Sequence, residues 1–158
     1  MTMFEQKLND WLIDNGFVCN VEFNEVFGYG IESKTLYVGT QEFANAGVWY
    51  EQFLYEYGLE YTGIYTPVLC LLHELGHNQT IYDFNKSELD VFFFIKDMME
   101  EERQSDQQEM FKYWEIPDEF AANMWAIKFI NTNINCVCEL CEIYRLYWND
   151  FIAERKCA

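Results

Sequence analysis

The chain has 158 residues, 51% of them apolar and 19% aromatic, and 27 acidic side chains against 10 basic ones give a formal charge of -17. That length and apolar content can bury a core without staples, which excludes a disordered chain and predicts one domain over residues 1–158. The negative field repels phosphate backbones and anionic headgroups, so direct nucleic-acid or membrane binding is disfavoured; it suits a basic partner or substrate, or simply a solvated surface.

Thr2 and Glu5 are spaced as a capping box, and Phe4, Leu8, Trp11 and Leu12 recur at helical intervals until Asn15-Gly16, which predicts an opening amphipathic helix. Glu5, Asp10 and Asp14 interrupt this segment, so it is not read as a secretion leader, and no apolar stretch reaches membrane-span length. The six cysteines are then expected to be reduced thiols in a cytoplasm. Phe17, Cys19, Val21 and Phe23 alternate with more polar neighbours, and after Gly28 and Gly30 a second extended run covers Thr35 to Val38. Two or three strands should form a small antiparallel or mixed sheet. Phe43, Trp49, Phe53 and Tyr57 fit a helix from Gln41 to about Tyr57, ended by Gly58.

Thr66 offers an N-cap with Pro67 at the first helical position, and Val68, Leu69, Cys70, Leu71 and Leu72 supply the apolar run of a buried helix. Gly76 and Asn78 are its expected terminators, which places His77 in the last turn. Further on, Ser87 and Asp90 resemble the start of a helix rich in phenylalanine and methionine that runs to about Arg103, and Ser105 to Glu109 reads as a loop. Pro117 opens another helix to about Ile130. Val137, Leu140, Cys141, Tyr144, Tyr147, Trp148 and Phe151 then form a stripe along a last helix from Ile134 to Ile152. The fold class expected is α+β, a small sheet near the N-terminus packed on a mainly helical core.

His73-Glu74-Leu75-Gly76-His77 contains both histidines of the chain. Residues four apart share one helix face, so two imidazoles there can hold one zinc ion, and Glu74 can take a proton from a metal-bound water as it attacks a carbonyl. The spacing predicts hydrolysis, above all of a peptide bond. The plainer alternative is a core helix whose histidines bond to neighbours. A catalytic zinc needs a third protein ligand and an open position for water. With no histidine left, that ligand is a carboxylate or thiolate downstream, and Pro117-Asp118-Glu119-Phe120-Ala121-Ala122-Asn123-Met124-Trp125-Ala126 stands out. It puts Glu119 in the first turn of a helix, with Asn123 four residues on, where a side-chain carbonyl can accept the free ring N–H of a bound histidine. Ala122 and Ala126 allow another helix to approach closely.

H-E-L-G-H followed by E-x-x-A-N-x-x-A resembles the ImmA/IrrE family of neutral zinc metallopeptidases, over Pro67 to Asn78 and Pro117 to Ala126. The resemblance implies a zinc-metallopeptidase core, His73, His77 and Glu119 as zinc ligands, Glu74 as general base and Asn123 as an outer partner of the metal site. It also implies a protein substrate, in particular a DNA-binding repressor of a phage or mobile element, and hence a host cytoplasm. The aromatic insertion between His77 and Glu119 departs from the family pattern, and there is no helix-turn-helix segment.

For the developing oxyanion the candidate donors are Tyr82, Tyr113 and Arg145, with Tyr113 the best placed because it precedes the Glu119 helix. An edge strand is expected to receive the substrate, with Thr35 to Val38 as its candidate. Cys136, Cys138 and Cys141 do not share a helix face and read as incidental thiols, and Glu100-Glu101-Glu102 reads as a solvated face. The competing functional reading is an acidic, non-catalytic interaction or regulatory protein with a structural or vestigial zinc site; a further one is an acidic decoy for a nucleic-acid-binding protein.

Overall fold

The computed structural model describes residues 1–41, 45–99 and 106–157. The order of elements is α1 (Met3–Asp14), β1 (Asn20–Asn24), β2 (Gly28–Gly30), β3 (Thr35–Gly39), α2 (Asn45–Glu56), α3 (Thr66–Thr80), a 3-10 turn (Ile81–Asp83), α4 (Lys86–Met99), α5 (Gln107–Trp114), α6 (Pro117–Thr132) and α7 (Ile134–Cys157). It is an α+β fold, mostly helical, with a three-stranded mixed sheet near the N-terminus. No described helix is long and apolar enough to cross a membrane.

Local signals place the outer helices. The capping box at α1 is formed, Thr2 N–H donating to Glu5 Oε2 at 2.7 Å and Glu5 N–H to Thr2 Oγ1 at 3.2 Å. Gly58, at φ 111°, ends α2 in a conformation that costs other residues strain. Phe43 and the tract Glu100-Glu101-Glu102 lie outside the described residues, as does the expected extension of α4 to Arg103.

The sheet order is β1-β3-β2, with β1 parallel and β2 antiparallel to β3. Val21 faces Leu36, Phe23 faces Val38, and Tyr29 faces Leu36 from the other side. Leu36 and Val38 are fully buried, and that burial draws β3 to the middle of the sheet. The expected role of Thr35 to Val38 as a substrate-pairing edge is therefore corrected. Its ladder groups are used on both sides, and the edge strands are β1 and β2.

One apolar cluster joins Phe4 and Leu8 of α1, Phe53 of α2, Leu69 and Leu72 of α3, Ile130 of α6 and Tyr144 of α7. Trp11 Nε1–H donates to the Cys136 carbonyl at 2.9 Å, fixing α1 to the start of α7. The closest helix pair is α3 against α6. A Cβ added at Gly76 would lie 2.8 Å from Ala122 Cα, so this glycine is a contact residue rather than the expected terminator. α3 runs on to Thr80, and Asn78 instead donates from Nδ2 to Tyr29 Oη at 2.9 Å, tying the helix to β2.

Three helix starts also differ from expectation. Thr66 is the first helical residue of α3, after a Tyr65 cap that makes no side-chain bond, so Pro67 stands second. Asn85, reciprocally bonded with Glu88, caps α4 in place of Ser87. Of the polar stretch read as a loop, Ser105 lies outside the described residues and residues 106–109 open α5, because Asp106 accepts from Glu109 N–H at 2.9 Å. Polar residues that suggest a loop are also the ones that cap helices.

Candidate metal centre

Two helices build the site. α3 carries His73, Glu74 and His77, α6 carries Glu119 and Asn123, and the Gly76–Ala122 contact sets their separation. The small residues at that crossing let two backbones meet where side chains would normally stand, which brings the histidines of one helix onto the carboxylate of the other.

His73 Nε2 lies 3.1 Å from Glu119 Oε1, and His77 Nε2 lies 2.9 Å from Glu119 Oε2. One ligand atom from each of the three residues falls within 4.8 Å of the others, and all three residues are buried. Neighbouring ligands of a tetrahedral zinc with bonds near 2.1 Å stand roughly 3.4 Å apart, so the imidazole–carboxylate spacings match after a shift of a few tenths of an ångström. The group can hold a metal ion.

The chemistry around the ligands supports this. Asn123 Oδ1 receives His73 Nδ1–H at 2.6 Å and the Tyr50 hydroxyl at 2.7 Å, while its Nδ2 donates to the Trp114 carbonyl at 3.3 Å. An amide oxygen only accepts, so His73 Nδ1 carries a proton and the Nε2 side is directed at Glu119. Burial keeps the Tyr50 hydroxyl protonated, its pKa well above the usual range, and therefore a donor. Asn123→Leu should lower zinc affinity about 10–100-fold by releasing the His73 ring. Chelator competition measures this, and an unchanged affinity would remove Asn123 from the centre.

Charge is concentrated here. Burial opposes the imidazolium of His73, yet Glu119 and Glu74 outweigh it and hold His73 up at about 9. Burial likewise raises Glu119, but His77 and His73 drive it well below the carboxylate range. Glu74 is moved the other way: burial raises it, and the charges of His73 and His77 only partly offset that. A carboxyl raised toward neutral is suited to passing protons.

A cleft of about 250 Å³ opens onto the group, lined among others by Glu74, His77, Glu119, Tyr113, Phe27 and Lys96. Tyr113 thus stands in the same cleft as His77 and Glu119. The two other oxyanion candidates do not: Tyr82 is 67% exposed on the 3-10 turn, with Lys34 over its ring, and Arg145 is exposed on α7 and paired with Glu142. Among the described residues, His73, His77 and Glu119 are the one such group, and Cys136, Cys138 and Cys141 are not drawn together into another.

Two residues of the site escape a sequence reading. Tyr50, on α2, reaches Asn123 across 73 positions, and nothing in its local pattern signals this. Lys96, from the insertion, donates from Nζ to Asp118 Oδ2 and, at 2.8 Å, to Glu119 Oε2. Burial disfavours its charge, but Glu119 and Asp118 more than restore it. Its signal was present: Lys96 occupies an inward position of an amphipathic helix, where an apolar residue is expected.

No protein-family model, curated protein or solved structure matches the chain.

Proposed function

We propose that this chain is a zinc-dependent metallopeptidase that hydrolyses a peptide bond in a protein substrate, with a DNA-binding repressor of a phage or mobile element as the substrate class. The observation that carries this reading is the position of Glu74, in one cleft with His77 and Glu119 of the His73–His77–Glu119 group. The resemblance of the two motifs to the ImmA/IrrE family supports it, and supplies the repressor. The acidic surface suits a basic partner.

His73, His77 and Glu119 would hold the ion, which supplies a polarised scissile carbonyl and a water with its pKa near 7. Glu74 would serve there as the base, its carboxylate accepting a proton in the cleft and returning it to the leaving amine. Asn123 keeps the His73 ring turned toward the centre, and Tyr113 is the candidate donor to the oxyanion. A closed, structural centre would need a fourth protein ligand, and among the described residues no other imidazole, thiolate or carboxylate completes the group. This favours the catalytic reading over the non-catalytic one.

Wild type and Glu74→Gln, each loaded with Zn²⁺, should be incubated with repressors from the same genome and read by intact mass. Wild type should yield two fragments, and Glu74→Gln should keep its zinc while cleaving about 10²–10⁴-fold more slowly. Equal cleavage by both would remove Glu74 as the base. No cleavage by a zinc-loaded wild type would favour a regulatory protein.

A further inference from the structure

Helix α4 sits over the cleft on a thin footing. Its inward apolar residues are Leu89, Phe92 and Met99, all only half-buried, while Phe94 and Met98 are 65% and 70% exposed. No residue of the helix is fully buried, so apolar burial contributes little to holding it against α5 and α6. More weight falls on Lys96, whose side chain is 11% exposed and whose ammonium bridges Asp118 and Glu119. The tether of α4 thus ends on a carboxylate of the metal group.

We propose that Lys96 and a divalent metal are opposed cations on Glu119, so that metal loading and the docking of α4 over the cleft are reciprocally coupled. The inference rests on the metal-binding half of the proposed function and is independent of hydrolysis. Lys96 Nζ is 2.8 Å from Glu119 Oε2, the oxygen that His77 faces, and a metal ligated through that oxygen would lie about 2 Å from it, so the two cations would come within about 5 Å of each other. At that distance in a buried site they repel strongly. Lys96 also orients Glu119, an effect of the opposite sign that outer partners exert at about 10–100-fold. With a divalent ion beside a lysine whose side chain is 11% exposed, repulsion is the larger. Whatever lysine costs the metal, the metal costs the lysine, because linkage is symmetric. Since α4 supplies Phe93 and Lys96 to the cleft wall, a loaded centre loosens that wall and gives a peptide room to enter.

Chelator competition with Zn²⁺ on the full chain tests the coupling. Lys96→Met should bind zinc on the order of tenfold or more tightly than wild type, and Lys96→Arg, which keeps the cation, should bind like wild type. Because Lys96→Met leaves Asp118 buried and unpaired, the same tightening should be sought in Lys96→Met with Asp118→Asn, read against Asp118→Asn alone. In the unmutated chain, amide exchange over residues 86–99 should accelerate when Zn²⁺ is added. Equal or weaker zinc binding on removal of the lysine overturns the coupling and leaves the centre standing, as does exchange that zinc slows or does not change. Zinc binding by none of the variants removes the centre and the coupling with it.

Discussion

Glu119→Gln should leave the purified chain with less than one zinc for every several molecules, while wild type carries about one. The substitution keeps the volume and one carbonyl oxygen, so the α3–α6 packing survives, but it removes the negative charge that both histidines face at 2.9 and 3.1 Å. Two imidazoles and a neutral amide are a poor set for an ion that favours three strong protein ligands. The fall in affinity should exceed the roughly 10–100-fold that outer partners command. The variant also leaves Lys96 with Asp118 as its charged partner, so some loss of stability accompanies the loss of metal. Elemental analysis and circular dichroism on one sample separate the two effects. A folded Glu119→Gln chain with undiminished zinc would remove Glu119 as a ligand.

Gly76→Ala should destabilise the fold although it adds a single methyl group. In an open helix this change stabilises by about 1 kcal/mol, because alanine is the better helix former. Here the new Cβ meets Ala122 Cα at 2.8 Å and Ala122 C at 2.9 Å, and backbone cannot rotate away as a side-chain tip can. α3 and α6 must separate, at an overpacking cost of about 3 kcal/mol that exceeds the propensity gain. A net loss of about 2 kcal/mol corresponds to a fall in Tm of roughly 4–8 °C for a chain of this length. The same separation draws His73 and His77 from Glu119, so zinc affinity should fall with stability. A Gly76→Ala chain as stable as wild type would show that α3 and α6 do not cross this closely.

The ligand group was legible because its spacing is local. Two histidines four apart share a face in any α-helix, and Glu119 and Asn123 do the same on the next motif helix. Joining the two pairs needed only that the helices pack, which Gly76, Ala122 and Ala126 permit. Lys96 was legible only in part: its inward place on an amphipathic helix is visible locally, but its partners, the carboxylates 22 and 23 positions away, are not. The edge-strand expectation failed on the same ground. The composition of Thr35 to Val38 marks a strand, but whether one or both of its sides are paired depends on β1 and β2 coming to it.

By itself the sequence determined what is decided within one helical turn or one strand pleat: the capping box of α1, the starts of α6 and α7, the shared faces of His73 with His77 and of Glu119 with Asn123, while α7 runs five residues past its expected end, to Cys157. Those features depend on backbone geometry and on neighbours three or four residues away. Only the tertiary structure decided that β3 is central, that Gly76 is a contact rather than a terminator, that Tyr50 steadies Asn123, and that Lys96 reaches Glu119. Each of these depends on segments far apart in the chain meeting in space, where burial and charge pairing rather than local propensity set the outcome.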